Sequence, residues 1–188
     1  AGGTARYAHT SVLYNGKIYS WGGYGGTSIL NTVDIYDIAT NSWSTGTAGG
    51  TARYMHTSIL YDGKIYSWGG NNGTSNINTV DIYDIATGSW TTGTAGGTAR
   101  YEHTSVLYNG KIYSWGGIGS SYLDIVDIYD IATDSWTTGT AGGTARYGHT
   151  SVLYDGKIYS WGGLNGGGNL NTADIYDIAT GGWSTGTA

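Results

Sequence analysis

Residues 1–23 read AGGTARYAHTSVLYNGKIYSWGG, and most of that string returns three times. It reappears as TARYMHTSILYDGKIYSWGG from Thr51, TARYEHTSVLYNGKIYSWGG from Thr98 and TARYGHTSVLYDGKIYSWGG from Thr144. The full units begin at Ala1, Ala48, Ala95 and Ala141, so the spacings are 47, 47 and 46 residues, and Ala188 stands where a fifth unit would begin. Self-similarity at this period indicates a solenoid, a propeller or an array.

Working outward from that string, His9 to Tyr14 (HTSVLY) and Lys17 to Trp21 (KIYSW) are β-branched and aromatic with no helical period. Asn15-Gly16 lies between them. Asn-Gly between two such runs predicts a hairpin, because a type I′ turn needs positive φ at both central residues. Asp62-Gly63, Asn109-Gly110 and Asp155-Gly156 hold the same place in the other units. Gly22-Gly23 ends the second strand, and a variable loop runs on toward Thr32. Val33 to Asp37 (VDIYD) reads as a third strand, followed by the turn Ala39-Thr40-Asn41-Ser42, which Asp37 can close as an Asx turn. Trp43 to Thr45 starts a short fourth strand, and a Gly-rich return leads into the next unit. Four short antiparallel strands per unit make a propeller blade. Apolar residues on both parities, such as Val12 with Leu13 and Ile18 with Tyr19, fit strands covered on both faces by neighbouring blades. The expected architecture is all-β: one propeller half-ring over residues 1–188, with blades at 1–47, 48–94, 95–140 and 141–188.

Composition narrows the function classes. The net charge is −5, and charged residues are only 11% of the chain, against roughly 25% in an average globular protein. Gly, Ser, Thr, Asn and Tyr must therefore carry the surface. Each unit has one Arg and one Lys, so there is no basic patch and no nucleic-acid partner is expected. The absence of Cys excludes disulfides, thiolate metal sites and Cys nucleophiles. No apolar run approaches about 18 residues, and no charged-plus-apolar leader precedes Ala1. A soluble chain without a membrane partner is expected, in an unspecified compartment. The missing initiator Met predicts a processed or trimmed product.

The unit resembles a kelch repeat. The resemblance rests on the paired glycines Gly22-Gly23, Gly69-Gly70, Gly116-Gly117 and Gly162-Gly163, and on a Tyr seven positions before a Trp (Tyr36/Trp43, Tyr83/Trp90, Tyr129/Trp136, Tyr176/Trp183). The Arg-x-x-His opening and the G-K-I-Y run add to it, and the match covers all four units. It implies a propeller fold and says little about activity. Two departures stand out. Kelch propellers generally have six or more blades in one chain, and this chain has four units. The copies are also unusually alike: the first and fourth differ at ten of 47 positions. Recent amplification, a fragment of a longer array and an engineered symmetric sequence all fit, and the last is favoured.

Four blades alone make an awkward ring. The first strand of a unit carries mid-sized residues and the later strands carry Tyr36 and Trp43, a taper that suits a gentle wedge. An open half-ring would expose two apolar blade faces, which a monomer rarely tolerates. Since Ala1 and Ala188 are in phase, two chains are expected to close head-to-tail into an eight-bladed homodimer.

Strand order puts the second-to-third-strand loop and the inter-blade return on one face. Divergence concentrates there: position 8 reads Ala8, Met55, Glu102 and Gly148, and the loops read YGGTSILNT, NNGTSNINT, IGSSYLDI and LNGGGNLNT. The kelch resemblance implies peptide or protein binding on this face, although loops also tolerate change. Candidate ligand-face residues are Arg6, Ala8, His9, Tyr24, Arg53, Met55, His56, Asn71, Arg100, Glu102, His103, Tyr122, Arg146, Gly148, His149 and Asn165. A ring of Arg and His near a channel mouth could bind an anion or a metal. The structural alternative is favoured: Arg bonding carbonyls of the neighbouring return loop, and His satisfying a backbone group. Asp34 and Asp37 point to opposite faces of a strand, which argues against an acid/base pair. Copper chemistry with a Cys–Tyr crosslink is excluded, and an asymmetric arginine triad does not fit four equivalent Arg with Glu102 as the single Glu. The sequon Asn72-Gly73-Thr74 reads as a chance match. No enzyme activity, cofactor or metal is expected. The chain reads as a self-assembling structural protein, with a peptide- or carbohydrate-binding module as the alternative. Exposed Tyr24, Tyr122 and Tyr7-type residues would favour binding; aromatics buried between blades would favour assembly.

Overall fold

The computed structural model describes residues 2–186. Ala1 and Ala188, whose shared phase underlies the expected ring closure, lie outside the described residues. The first repeat forms β1 (Thr10–Tyr14), β2 (Lys17–Trp21), β3 (Val33–Asp37) and β4 (Ser42–Thr45). The second forms β5 (Thr57–Tyr61), β6 (Lys64–Trp68), β7 (Val80–Asp84) and β8 (Ser89–Gly93). The third forms β9 (Thr104–Tyr108), β10 (Lys111–Trp115), β11 (Val126–Asp130) and β12 (Ser135–Thr138). The fourth forms β13 (Thr150–Tyr154), β14 (Lys157–Trp161), β17 (Ala173–Asp177) and β18 (Gly182–Thr185), with a small hairpin of β15 (Leu164–Asn165) and β16 (Gly168–Asn169) in its loop. Each repeat is one four-stranded antiparallel sheet with strands in chain order, which is a propeller blade.

The turns form for the reasons read from the sequence. Tyr14 pairs with Lys17 across Asn15-Gly16, whose φ values are 47° and 73°. Thr40 N–H donates to Asp37 Oδ1 at 3.0 Å, closing the Asx turn. Two strand limits shift by one residue. The first strand starts at Thr10 rather than His9, because Ala8 is left-handed (φ 53°) and turns the chain out of the sheet. The fourth starts at Ser42 rather than Trp43, because Ser42 completes the pairing with Asp37. The loop of the fourth blade is not irregular throughout: Gly166-Gly167 lets it fold back on itself as the β15–β16 hairpin.

The chain divides into two compact units, Ala1–Ala95 and Gly96–Ala188, each holding two blades. Within the first, β1 lies against β5. The period-2 alternation of strands gives every blade two apolar faces. A leading face carries the row Val12–Tyr19–Ile35 with Tyr14, Trp21 and Val33; a trailing face carries the row Leu13–Ile18–Tyr36–Trp43. The first unit buries Tyr19, Trp21 and Val33 of its first blade against Ile65 and Tyr83 of its second, with Leu60, Ile85 and Trp90 packed alongside. The second unit repeats this: Val106, Tyr113, Trp115 and Val126 meet Ile158 and Tyr176, with Leu153, Ile178 and Trp183 alongside. Leading face meets trailing face in both. Among the described residues no helix is long and apolar enough to cross a membrane.

Candidate functional site

The return segment delivers one Arg to the edge of each blade, where it is locked in place. Arg53 Nε donates to Thr51 O (3.2 Å), and Nη1 donates to Gly69 O (2.8 Å) and Thr79 O (3.0 Å). Its Nη2 donates to Thr79 Oγ1 (2.7 Å) and to the Asp81 carboxylate. That uses all five guanidinium N–H groups, leaving none for a ligand. Arg146 repeats the pattern onto Gly162, Thr172 and Asp174. Arg6 pairs with Asp34 and Arg100 with Asp127. Arg53, Arg100 and Arg146 are fully buried. Burial pushes the Arg53 guanidinium below its ordinary value, and the Asp81 charge opposes that shift. One accepted carbonyl, Thr51 O, belongs to the return segment, and those of Gly69 and Thr79 flank the loop of the same repeat. The reason is reach: Asp81, buried in β7, anchors the fork on its own sheet.

The histidines are also taken up by blade packing. His56 Nε2 bonds Thr10 Oγ1 of the preceding blade at 2.9 Å, and His149 bonds Thr104 in the same way. The partner is a side-chain hydroxyl rather than a backbone group. The His56 ring stands edge-on to Trp21 at 4.8 Å, and Arg53 lies 5.4 Å over the same indole. Burial pushes His56 well below its ordinary pKa and lowers His149 to about 3. His103 is buried, and His9 is exposed. Among the described residues no group of three or more His, Asp or Glu is placed to hold a metal ion. The four Lys pair with the Asp directly opposite on the third strand, Lys17 with Asp37 at 2.8 Å for example, on half-exposed surface where such pairs contribute little.

The loop face is assembled as the strand order implied. Tyr7 bridges to Tyr24, Tyr54 to Asn71, Tyr101 to Ile118 and Tyr147 to Leu164, so return and loop share one edge of each blade. Tyr7 and Tyr122 are exposed, while Tyr24, Tyr54 and Tyr147 are half-buried. The Tyr122 and Tyr147 rings stack at 5.2 Å and 18°, and Tyr7 meets Tyr24 at 5.5 Å. Asn71 and Asn165 organise their own loops by accepting N–H groups from Gly73 and Gly167. Asn72 Oδ1 likewise accepts from the N–H groups of Thr74, within the sequon, and of Ser75, just after it.

Position 8 has a backbone role that sequence reasoning missed. Ala8, Met55, Glu102 and Gly148 are all left-handed, with φ between 53° and 61°. Met55 N–H donates to Ala8 O (2.8 Å) in the first unit, and Gly148 N–H donates to Glu102 O (3.1 Å) in the second. These bonds run blade to blade and ignore the side chain, which is why the residue varies. The glycine at 148 was the available signal. Burial pushes the Glu102 carboxyl up.

Among the described residues the first and the fourth blade each carry an open apolar face. On the first blade's trailing face Leu13 is 61% and Ile38 50% exposed, whereas their equivalents Leu60 and Ile85 pack against the cluster. On the fourth blade's leading face Val152, Tyr154 and Trp161 are exposed, whereas Trp21 and Trp115 are buried.

Comparison with known families places these blades. The model of the KLHDC2/KLHL20/DRC7 Kelch-repeats domain matches residues 55–188, and the Kelch motif model matches residues 5–48. No curated protein matches the chain.

Proposed function

The chain belongs to the kelch-repeat family, and on that premise we propose that its function is assembly without catalysis: two copies join head-to-tail into an eight-bladed ring. The observation that carries this reading is the pair of open faces. Leu13, Ile38 and Trp43 on one blade, and Val152, Tyr154 and Trp161 on another, are the repeat equivalents of residues that form the two halves of the junction buried inside the first unit. Fully burying a large apolar side chain is worth about 1.5–3 kcal/mol, so these six supply roughly 10 kcal/mol per junction before association costs. Native mass spectrometry tests it. A species of twice the 19.7 kDa chain mass is expected; a monomer at micromolar concentration would overturn the reading.

A second reading has its own support. Exposed Tyr7 and Tyr122 on the loop face suit a peptide or a carbohydrate stacked on the rings. Tyr7→Ser with Tyr122→Ser leaves the blade faces intact. Loss of capture on peptide and glycan arrays, at unchanged native mass, would favour binding.

A further inference from the structure

The first blade carries a cavity of about 280 Å³ lined by Gly3, Arg6, His9, Ser20, Asp34 and Trp43. One repeat later these positions are Gly50, Arg53, His56, Ser67, Asp81 and Trp90. Those residues enclose an indole. Trp21 meets His56 at 4.8 Å, Trp90 at 5.0 Å and Arg53 at 5.4 Å. A Cβ on Gly50 would come within 3.1 Å of the same ring, so the position is glycine where the indole presses closest. In the second unit Trp115 is held alike, by His149 at 4.8 Å, Trp183 at 5.1 Å and Arg146 at 5.5 Å. The fourth blade has the same tryptophan, Trp161, and it is 55% exposed.

We propose that the cavity is the socket for Trp161 of a second copy of this chain, and that this plug is the main determinant of assembly. The inference rests on the assembly reading above and names the residue that decides it. Three further groups argue for a second copy over an unrelated ligand. His9 and Thr150 are both exposed, and their equivalents His56 and Thr10 bond at 2.9 Å. Exposed Ser11 corresponds to Ser58, which bonds Thr10 at 2.6 Å, so Ser11 is the matching partner for Thr150. Leu13 and Ile38, exposed on the first blade, match Val152 and Tyr154, exposed on the fourth, as Leu60 and Ile85 match Val12 and Tyr14 in the buried junction. A free peptide supplies one indole; only another blade supplies the hydroxyl and the apolar rows in register with it.

Sedimentation equilibrium on the full chain tests the proposal, with Trp161→Ala and with Ala5→Leu, which fills the same cavity from its wall. Buried aromatic anchors are the usual hot spots of interfaces, so each variant is expected to weaken self-association by about 30-fold or more while its circular dichroism stays that of the wild type. A Trp161→Ala chain that associates as tightly as wild type would overturn the plug and leave the assembly reading standing. A wild-type chain that is monomeric throughout would remove both. If one variant misfolds, the other decides, since they alter different blades.

Discussion

Arg53→Met tests whether the buried ion pair holds a blade together. The substitution keeps most of the volume of the stem but removes the charge. It leaves the Asp81 carboxylate, 2% exposed, with the Thr51 N–H (2.8 Å) as a remaining donor, and strands the carbonyls of Gly69 and Thr79. Breaking a buried pair by removing one partner costs about 3–5 kcal/mol. For a chain of 188 residues each kcal/mol lowers Tm by roughly 2–4 °C, so a fall of about 10 °C is expected. Thermal unfolding measures the Tm and urea unfolding the free energy, each followed by both circular dichroism and tryptophan emission; coincident transitions license the two-state treatment. The double variant Arg53→Met with Asp81→Leu removes the orphaned charge and should recover about half of the loss, a coupling that the cycle reads directly. A single-variant loss below about 1 kcal/mol, or costs that simply add, would refute the reasoning, because the pair would then behave like a surface contact.

Stability should also fall on mild acidification. His56 and His149 stay neutral in the fold, with His149 lowered to about 3, while the unfolded chain takes up protons near pH 6.5, so stability is level above about pH 7 and declines below it. His149 alone costs about 3 kcal/mol by pH 4.5, before the carboxylates contribute. The surface carboxylates work over a lower range: Asp37, held at about 2 by Lys17 and the Thr40 N–H, loses its contribution only as pH falls below about 4. Melting curves at pH 7.5 and 4.5, with and without His149→Asn, check this; an unchanged slope in the variant would sink it. Gly70→Ala should destabilise by more than 2 kcal/mol, roughly, since its Cβ would lie 2.7 Å from Tyr54 O and 2.9 Å from His56 Cβ at φ 91°. Chemical denaturation measures it. Glu102→Gly should stabilise by about 1 kcal/mol, because it relieves a left-handed non-glycine residue and removes a half-buried carboxyl. A lower Tm would show that the Glu102 side chain contributes more than its backbone strain costs.

Much of the fold was legible because its signals are local. Asn15-Gly16 and its copies can adopt positive φ at both turn positions, and the apolar runs beside them have no helical period. The two-sided apolar pattern also announced blades packed face to face, which each compact unit shows for its own pair of blades. The candidate site was less legible. The repeat pattern favours a structural role for Arg53 and His56, but it does not name their partners, which lie 28 and 46 residues away, at Asp81 and Thr10. Position 8 hid its role because a left-handed backbone can be occupied by Ala, Met or Glu at a modest cost, so only Gly148 hinted at it.

The sequence by itself determined the repeat, its four strands, its turns and its family, because hairpin chemistry and strand alternation act over a few residues. Only the tertiary structure decided which faces are buried, which arginine N–H groups are taken, and that Trp161 is exposed where Trp21 and Trp115 are not. The physical reason is that the four repeats are nearly one sequence. Identical residues differ in environment only through what packs against them, and that is a property of the fold.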